Sequence, residues 1–214
     1  IAANAGVNTL LISYLYIKRK GKKFLQERIS ENPNIKLMID SGAYTFMAKE
    51  EYHNKPLEYW EDYLEKYTKF IRDNKDFIFS CVELDLTEIV GVEIVNEWRE
   101  RYFKPLEEEG ILVCYVWHTV DGIVGWKEMC EQYNYLGVSL ATNEISEVEL
   151  NRMFNVAKRT NTLIHGFAIT QIDLLTKIPF FSSDSSVDGR SSIVVKNIEE
   201  NIIERLTIAE FYSR

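Results

Sequence analysis

The sequence predicts an α/β protein built on a parallel sheet, of the TIM (β/α)8 barrel type, incomplete or with one strand unread. Three observations carry this. Short apolar runs alternate with helix-period segments along the whole chain. The runs are apolar on both faces, as strands of a parallel sheet covered on each side must be. Each run then stops at a polar residue or glycine (Asp40, Asp85, His118, Gly137, His165, Asp184), at the strand end where a parallel barrel keeps its chemistry. A doubly wound open sheet is the alternative, but the chain has neither a glycine-rich dinucleotide fingerprint nor a Walker loop.

Taken in order, Val7–Tyr16 reads as a strand running into a helix or loop. The basic cluster Lys18-Arg19-Lys20-Gly21-Lys22-Lys23 follows, then a short helix over Phe24–Ile29 that ends at Asn32-Pro33. The run Ile35–Ile39 comes next and breaks into Asp40-Ser41-Gly42-Ala43-Tyr44. Gly42 allows a sharp turn and close approach of a ligand, and Tyr44 sets an aromatic face beside the carboxylate.

Pro56 suits the first turn of a long amphipathic helix. Its Tyr59, Tyr63, Tyr67 and Phe70 recur at helical spacing and read as core, not as a stacking platform for bases. Asp76–Asp85 is a strand and Glu88–Tyr102 its return helix, with a stop at Gly110. Ile111–Trp117 is a strand ending in His118-Thr119, Gly125–Tyr133 a helix, and Tyr135–Leu140 a short strand. Ser146 and Glu149 stand at capping-box spacing before a helix to Arg159. Thr162–Phe167 is a strand, Gln171–Thr176 a short helix, Phe180–Ser183 the last strand, and Ile193–Phe211 a terminal amphipathic helix. One domain over residues 1–214 is expected.

Composition narrows the partners. The net charge is −8, so a nucleic acid would have to be met by a local basic patch, and Lys18–Lys23 is the one cluster. A plain solvated turn or helix start is the competing reading. No apolar run approaches the length of a membrane helix, and Ile1-Ala2-Ala3-Asn4 does not read as a signal peptide. Because the first residue is not Met, residues upstream are expected. Cys81, Cys114 and Cys130 are widely spaced, without CxxC or CxH pairing, which argues for a reduced cytoplasmic protein without a zinc site. His53 reads as surface, and Trp60, Trp98 and Trp126 as core.

Asp40-Ser41-Gly42-Ala43-Tyr44 resembles the DSGGF signature of the tRNA-guanine transglycosylases, and the later spacing is closer to their phage and bacterial relatives, the 7-deazaguanine DNA transglycosylases. Ser13-Tyr14, Glu83-Leu84-Asp85, Val116-Trp117-His118, Leu136-Gly137-Val138, His165–Thr170 and Pro179–Ser185 support the resemblance, which covers about Asn8 to Ser186.

The resemblance implies a TIM barrel that replaces guanine in nucleic acid with a 7-deazaguanine base through a covalent aspartyl intermediate. DNA is expected ahead of tRNA. It implies Asp184 as nucleophile and Asp40 as acid/base. Asp85 would read the base edge, Tyr44 would stack, Gly137 would offer a backbone amide, and His118 would stand for a base-reading glutamine. Ser41, Gly42 and His165 complete the expected base site. No cofactor or metal is implied: the zinc motif of the tRNA enzymes is missing, since neither Cys nor His follows Asp184. The setting would be the cytoplasm of a bacterial or phage-infected cell, with room for a homo-oligomer or a helper protein.

The chemistry stands without the family. Breaking an N-glycosidic bond passes through an oxocarbenium-like state that a carboxylate can capture, while a second acid protonates the leaving purine. Three acids at strand ends (Asp40, Asp85, Asp184) would then share one site. Two alternatives use the same residues: a barrel hydrolase or lyase whose acids hold Mg²⁺ for a small metabolite, and a barrel that binds bases or nucleic acid without turnover. Plainer readings also stand: a turn carboxylate for Asp40, a helix cap for Asp85, a polar loop for Asp184, and structural histidines for His118 and His165.

Replacing Lys18, Arg19, Lys20, Lys22 and Lys23 with Gln should weaken polymer binding and flatten its salt dependence, leaving free-base binding unchanged. Affinity measured against salt for both proteins checks this. Equal slopes would place the polymer elsewhere.

Overall fold

The computed structural model describes residues 9–20, 25, 29–30, 36–139, 145–169, 172–184, 192–197 and 202–207. Seven strands form one sheet in sequence order: β1 (Thr9–Ser13), β2 (Lys36–Asp40), β3 (Ile78–Val82), β4 (Leu112–Val116), β5 (Tyr135–Ser139), β6 (Leu163–Phe167) and β7 (Ser182–Ser183). Every neighbouring pair is parallel. Parallel neighbours require crossovers, and helices lie in each of the intervening segments. The protein is thus α/β with a seven-stranded parallel sheet. The chain forms two compact units, Asn8–Cys114 and the part from Tyr115 onward, with β4 running across the boundary.

In the first unit, consecutive residues of β2 (Leu37, Met38, Ile39) and β3 (Ser80, Cys81, Val82) are buried, so both faces of these strands are covered. The register between β2 and β3 shifts after Leu37, leaving Phe79 without a partner. Helix Leu57–Asp73 buries Trp60, Tyr63, Leu64, Tyr67, Phe70 and Ile71, the stripe its spacing predicts except for Tyr59, which is half-buried. Tyr14, from helix Tyr14–Lys20, packs against Tyr63, Tyr67 and Phe70 at ring separations of 5.5, 5.2 and 5.3 Å. Phe46, from helix Ala43–Met47, meets Trp60 and Tyr63 edge-on at 5.0 Å each. Such pairs add about 0.5–1.5 kcal/mol each beyond the area they bury.

The tyrosines also do polar work. Tyr67, fully buried, points its hydroxyl at the carbonyls of Ile39 and Val82, 2.8 Å from each. One hydroxyl proton is therefore shared between the ends of β2 and β3. Burial, chiefly, raises its pKa far above the ordinary tyrosine range, so the donor persists at any working pH.

Helix Glu88–Tyr102 of the sequence reading is broken. Thr87–Val90 and Val92–Trp98 flank Gly91, whose φ of 89° ends the first segment, and a π turn over Arg99–Phe103 leads into Lys104–Glu108.

In the second unit, Ser146 and Glu149 form the expected capping box on helix Glu147–Thr160. Trp126, on helix Gly122–Gln132, donates from Nε1 to the Met153 carbonyl at 2.9 Å and joins the two helices. The terminal helix is overturned: Ser192–Asn197 (β8) and Ile202–Thr207 (β9) pair as an antiparallel hairpin. Ile193, Val194, Val195, Ile202 and Ile203 explain the outcome, since β-branched chains favour the pleated ladder over the helix.

All three cysteines are buried free thiols, with burial raising Cys81 and pushing Cys130 up to about 11. Among the described residues, no helix is long and apolar enough to cross a membrane.

Tyr67→Phe should cost about 1–3 kcal/mol, because it leaves two buried carbonyls without their donor at nearly unchanged volume. Urea unfolding with an unchanged slope checks this. A loss under about 0.5 kcal/mol would mean the hydroxyl is not holding the strand ends.

Candidate functional site

Two clusters hold the sequence-derived candidates, one in each unit. In the first, Asp40 is the last residue of β2, and its Oδ2 accepts the Gly42 N–H at 3.1 Å. Gly42 has φ 86°, and a Cβ there would fall 2.6 Å from Leu15 Cδ1 and 2.7 Å from its Cγ. Only glycine fits this turn. Ser41, fully buried, donates from Oγ to the Glu83 carbonyl at 2.7 Å and accepts from the Tyr63 hydroxyl at 2.6 Å through its own carbonyl. Its hydroxyl is therefore committed to holding the turn. Burial first, then Tyr14 and Asp40, raise the Tyr63 pKa well above the usual range, so it too remains a donor. Tyr44, 76% exposed, presents its ring to solvent just beyond the turn.

Asp85 stands three residues past β3, not at its end, and is buried. Its Oδ1 accepts from Thr87 N at 3.3 Å and Thr87 Oγ1 at 2.8 Å, the turn that opens helix Thr87–Val90. The helix-cap reading of Asp85 holds only loosely: Leu86 occupies the cap position without a side-chain cap bond, and Asp85 closes the turn one residue before it. Lys18 and Arg19 belong to the last turn of helix Tyr14–Lys20 and are exposed, and Lys18 Nζ lies 5.4 Å from the centre of the Tyr63 ring. The Lys20 side chain, Lys22, Lys23 and most of the Phe24–Ile29 helix lie outside the described residues.

Sequence reasoning missed a buried ion pair of this unit. Glu83 is fully buried and held bidentately by Arg99, Nε to Oε2 and Nη2 to Oε1, both at 2.7 Å. Arg99 starts the π turn, a helical irregularity that often aims a side chain. The only sequence signal is an acid inside an apolar run, at Cys81-Val82-Glu83-Leu84. The pair also orders the turn, because the Glu83 carbonyl receives Ser41 and its N–H donates to Cys114.

In the second unit, His118 follows β4 and is half-buried, and its carbonyl accepts the Asp121 N–H at 3.0 Å. Gly137 and His165 are not strand ends. They lie in the middle of β5 and β6, paired with each other, because each strand runs two residues further, to Ser139 and Phe167. Asp184 directly follows β7.

The structure gathers a polar chain here that spacing did not show. Tyr135 OH is 2.5 Å from Ser182 Oγ, Ser182 Oγ is 2.7 Å from His165 Nδ1, and His165 Nε2 is 3.2 Å from Asp184 Oδ1. The Ala168 N–H, on a residue with φ 54°, donates to the same Oδ1 at 3.2 Å. Gly166 permits the approach, since a Cβ there would meet Ile169 and Phe180 side-chain atoms at 2.3 and 3.1 Å. His165 is 1% exposed, whereas the Asp184 side chain keeps 21% of its surface open. Among the described residues, no group of three or more His, Cys, Asp or Glu side chains is placed to hold a metal ion.

No protein-family model and no curated protein matches the chain. A solved structure titled "Crystal structure of an enolase protein from the environmental genome shotgun sequencing of the Sargasso Sea" is similar over 86% of this chain, at 9% identity and a TM-score of 0.46. The chain spans about half of that protein's length (49%).

Arg99→Met should destabilise the protein by about 3–5 kcal/mol, since it strands a buried carboxylate. Adding Glu83→Gln should recover part of the loss by removing the charge. Denaturant midpoints of the two variants check this. A single-variant cost below about 1 kcal/mol, the range of exposed pairs, would contradict it.

Proposed function

We propose that this chain is a base-exchanging transglycosylase that replaces guanine in nucleic acid, DNA ahead of tRNA, with a 7-deazaguanine base, on a sheet that forms the larger part of a (β/α)8-type barrel. The observation that carries the reading is Asp184. His165 Nε2 and the Ala168 N–H converge on its Oδ1, and the carboxylate remains partly open to solvent. Those two contacts fix the direction in which the second oxygen points. A carboxylate so held suits attack on a sugar carbon.

In this reading an oxygen of Asp184 bonds to C1′ as the C1′–N9 bond of guanine breaks, and the leaving base takes a proton from Asp40. The incoming base returns its N9 proton to Asp40 and attacks C1′, and the C1′–Asp184 ester bond breaks. Tyr44 would stack on the base, Asp85 would accept from its edge, and Lys18 and Arg19 would meet phosphates. The motif resemblance and the sequential parallel strand order support this reading.

Asp184→Asn should abolish exchange of labelled guanine into duplex DNA or tRNA, by at least about 10³-fold, while the unfolding midpoint stays near that of the parent. Near-parental exchange in the folded variant would overturn the assignment. Failure of the parent to incorporate guanine into either polymer would overturn the activity.

A further inference from the structure

We propose that His165, held in one tautomer by Ser182 and Tyr135, is the positioning residue that aims Asp184; the catalytic part of this inference rests on the nucleophile reading above. The groups sit on three neighbouring strands, Tyr135 on β5, His165 on β6 and Ser182 on β7, with His165 in register with Ser182. Tyr135 and His165 are almost completely buried. Phe167 packs edge-on to the imidazole at 4.5 Å and Tyr135 at 6.3 Å, which keeps the ring from turning.

The protons can be placed by counting donors. An ionised Asp184 has only acceptors, so the imidazole nitrogen facing it must carry the hydrogen. A neutral ring then has a bare Nδ1, and this nitrogen needs a donor. Ser182 Oγ, at 2.7 Å, is that donor, and its single hydrogen is then committed. Tyr135 OH, at 2.5 Å, must therefore donate to Ser182. Every hydrogen along Tyr135–Ser182–His165–Asp184 points one way, toward the carboxylate.

This direction has a chemical consequence. With Nε2–H fixed, His165 and Ala168 both donate to Oδ1, and the other carboxylate oxygen is left to react. A ring in the opposite tautomer would bring a bare nitrogen against the carboxylate, repel it and turn Asp184 away. A merely structural chain would stabilise the fold without depending on which ring nitrogen holds the proton.

The test combines spectroscopy and kinetics on the full chain. Histidines 53, 118 and 165 are all the chain contains, so ¹⁵N-histidine NMR can resolve His165, with His165→Gln assigning its signals. A protonated Nε2 and a bare Nδ1 are expected in the parent, and Ser182→Ala should shift the Nδ1 signal. With labelled guanine as probe, Ser182→Ala should lower kcat about tenfold with KM unchanged, the factor of one hydrogen bond of ordinary strength. His165→Gln, whose amide can still donate, should retain more activity than His165→Leu.

A ring protonated at Nδ1 would overturn the proposal. So would Ser182→Ala that leaves both the ring signal and kcat unmoved. If the parent exchanges no base while the ring is held as described, the activity reading fails and the positioning of Asp184 stands. If exchange depends on Asp184 but Ser182→Ala and His165→Leu behave like the parent, the positioning role fails and the activity stands.

Discussion

The hydroxyl of Tyr67 is the contact on which the first unit depends. Parallel strands leave carbonyls at their C-terminal ends that no further strand residue can satisfy. At the ends of β2 and β3 that need is met from helix Leu57–Asp73. Tyr67 serves Ile39 and Val82, and one turn earlier Tyr63 serves Ser41. The same helix buries Trp60, Leu64, Phe70 and Ile71, so apolar packing and carbonyl satisfaction fix a single docking. Asp40 inherits its position from this arrangement, since the Ser41 and Gly42 that follow it are pinned on both sides.

The second unit handles a polar demand differently. Its buried groups form a chain ending in a carboxylate that is partly open, with donors running in one direction. Buried polar chains are costly when one member is unsatisfied and specific when all are satisfied. Here satisfaction requires a particular tautomer of His165, and the open end is Asp184. In the first unit the analogous buried charge, Glu83, is closed off completely by Arg99. Glu83 is thus a structural carboxylate, whereas the Asp184 side chain keeps 21% of its surface open.

Much of this was legible in the residues. Apolar runs located β2 to β6, because strands covered on both faces carry few polar interruptions, while β1 is only partly covered and β7 is the serine pair that follows its apolar run. The Tyr63–Tyr67 stripe and the Ser146/Glu149 box were equally direct, since helical periodicity and capping act over three or four residues. What failed depends on longer range. Ile193–Phe211 has enough apolar residues for either period, and pairing with a second strand decided it. Strand ends were misjudged at Gly137 and His165, because a glycine or polar residue within a buried strand looks like its terminus. The Arg99–Glu83 pair joins residues 16 apart across a helix break that Gly91 imposes, and no local pattern announces it. The Ser182–His165 contact is similar, being made only by strand register.

The central claim is that Asp184 becomes covalently attached to a sugar carbon. The most direct measurement is to quench the protein with duplex DNA or tRNA during exchange, digest both chains and locate any nucleotide adduct by peptide mass spectrometry. A nucleotide lacking its guanine, joined to the peptide that carries Asp184 and absent from Asp184→Asn, is the predicted result. Guanine exchange without an adduct at Asp184, or with the adduct on another residue, would contradict it.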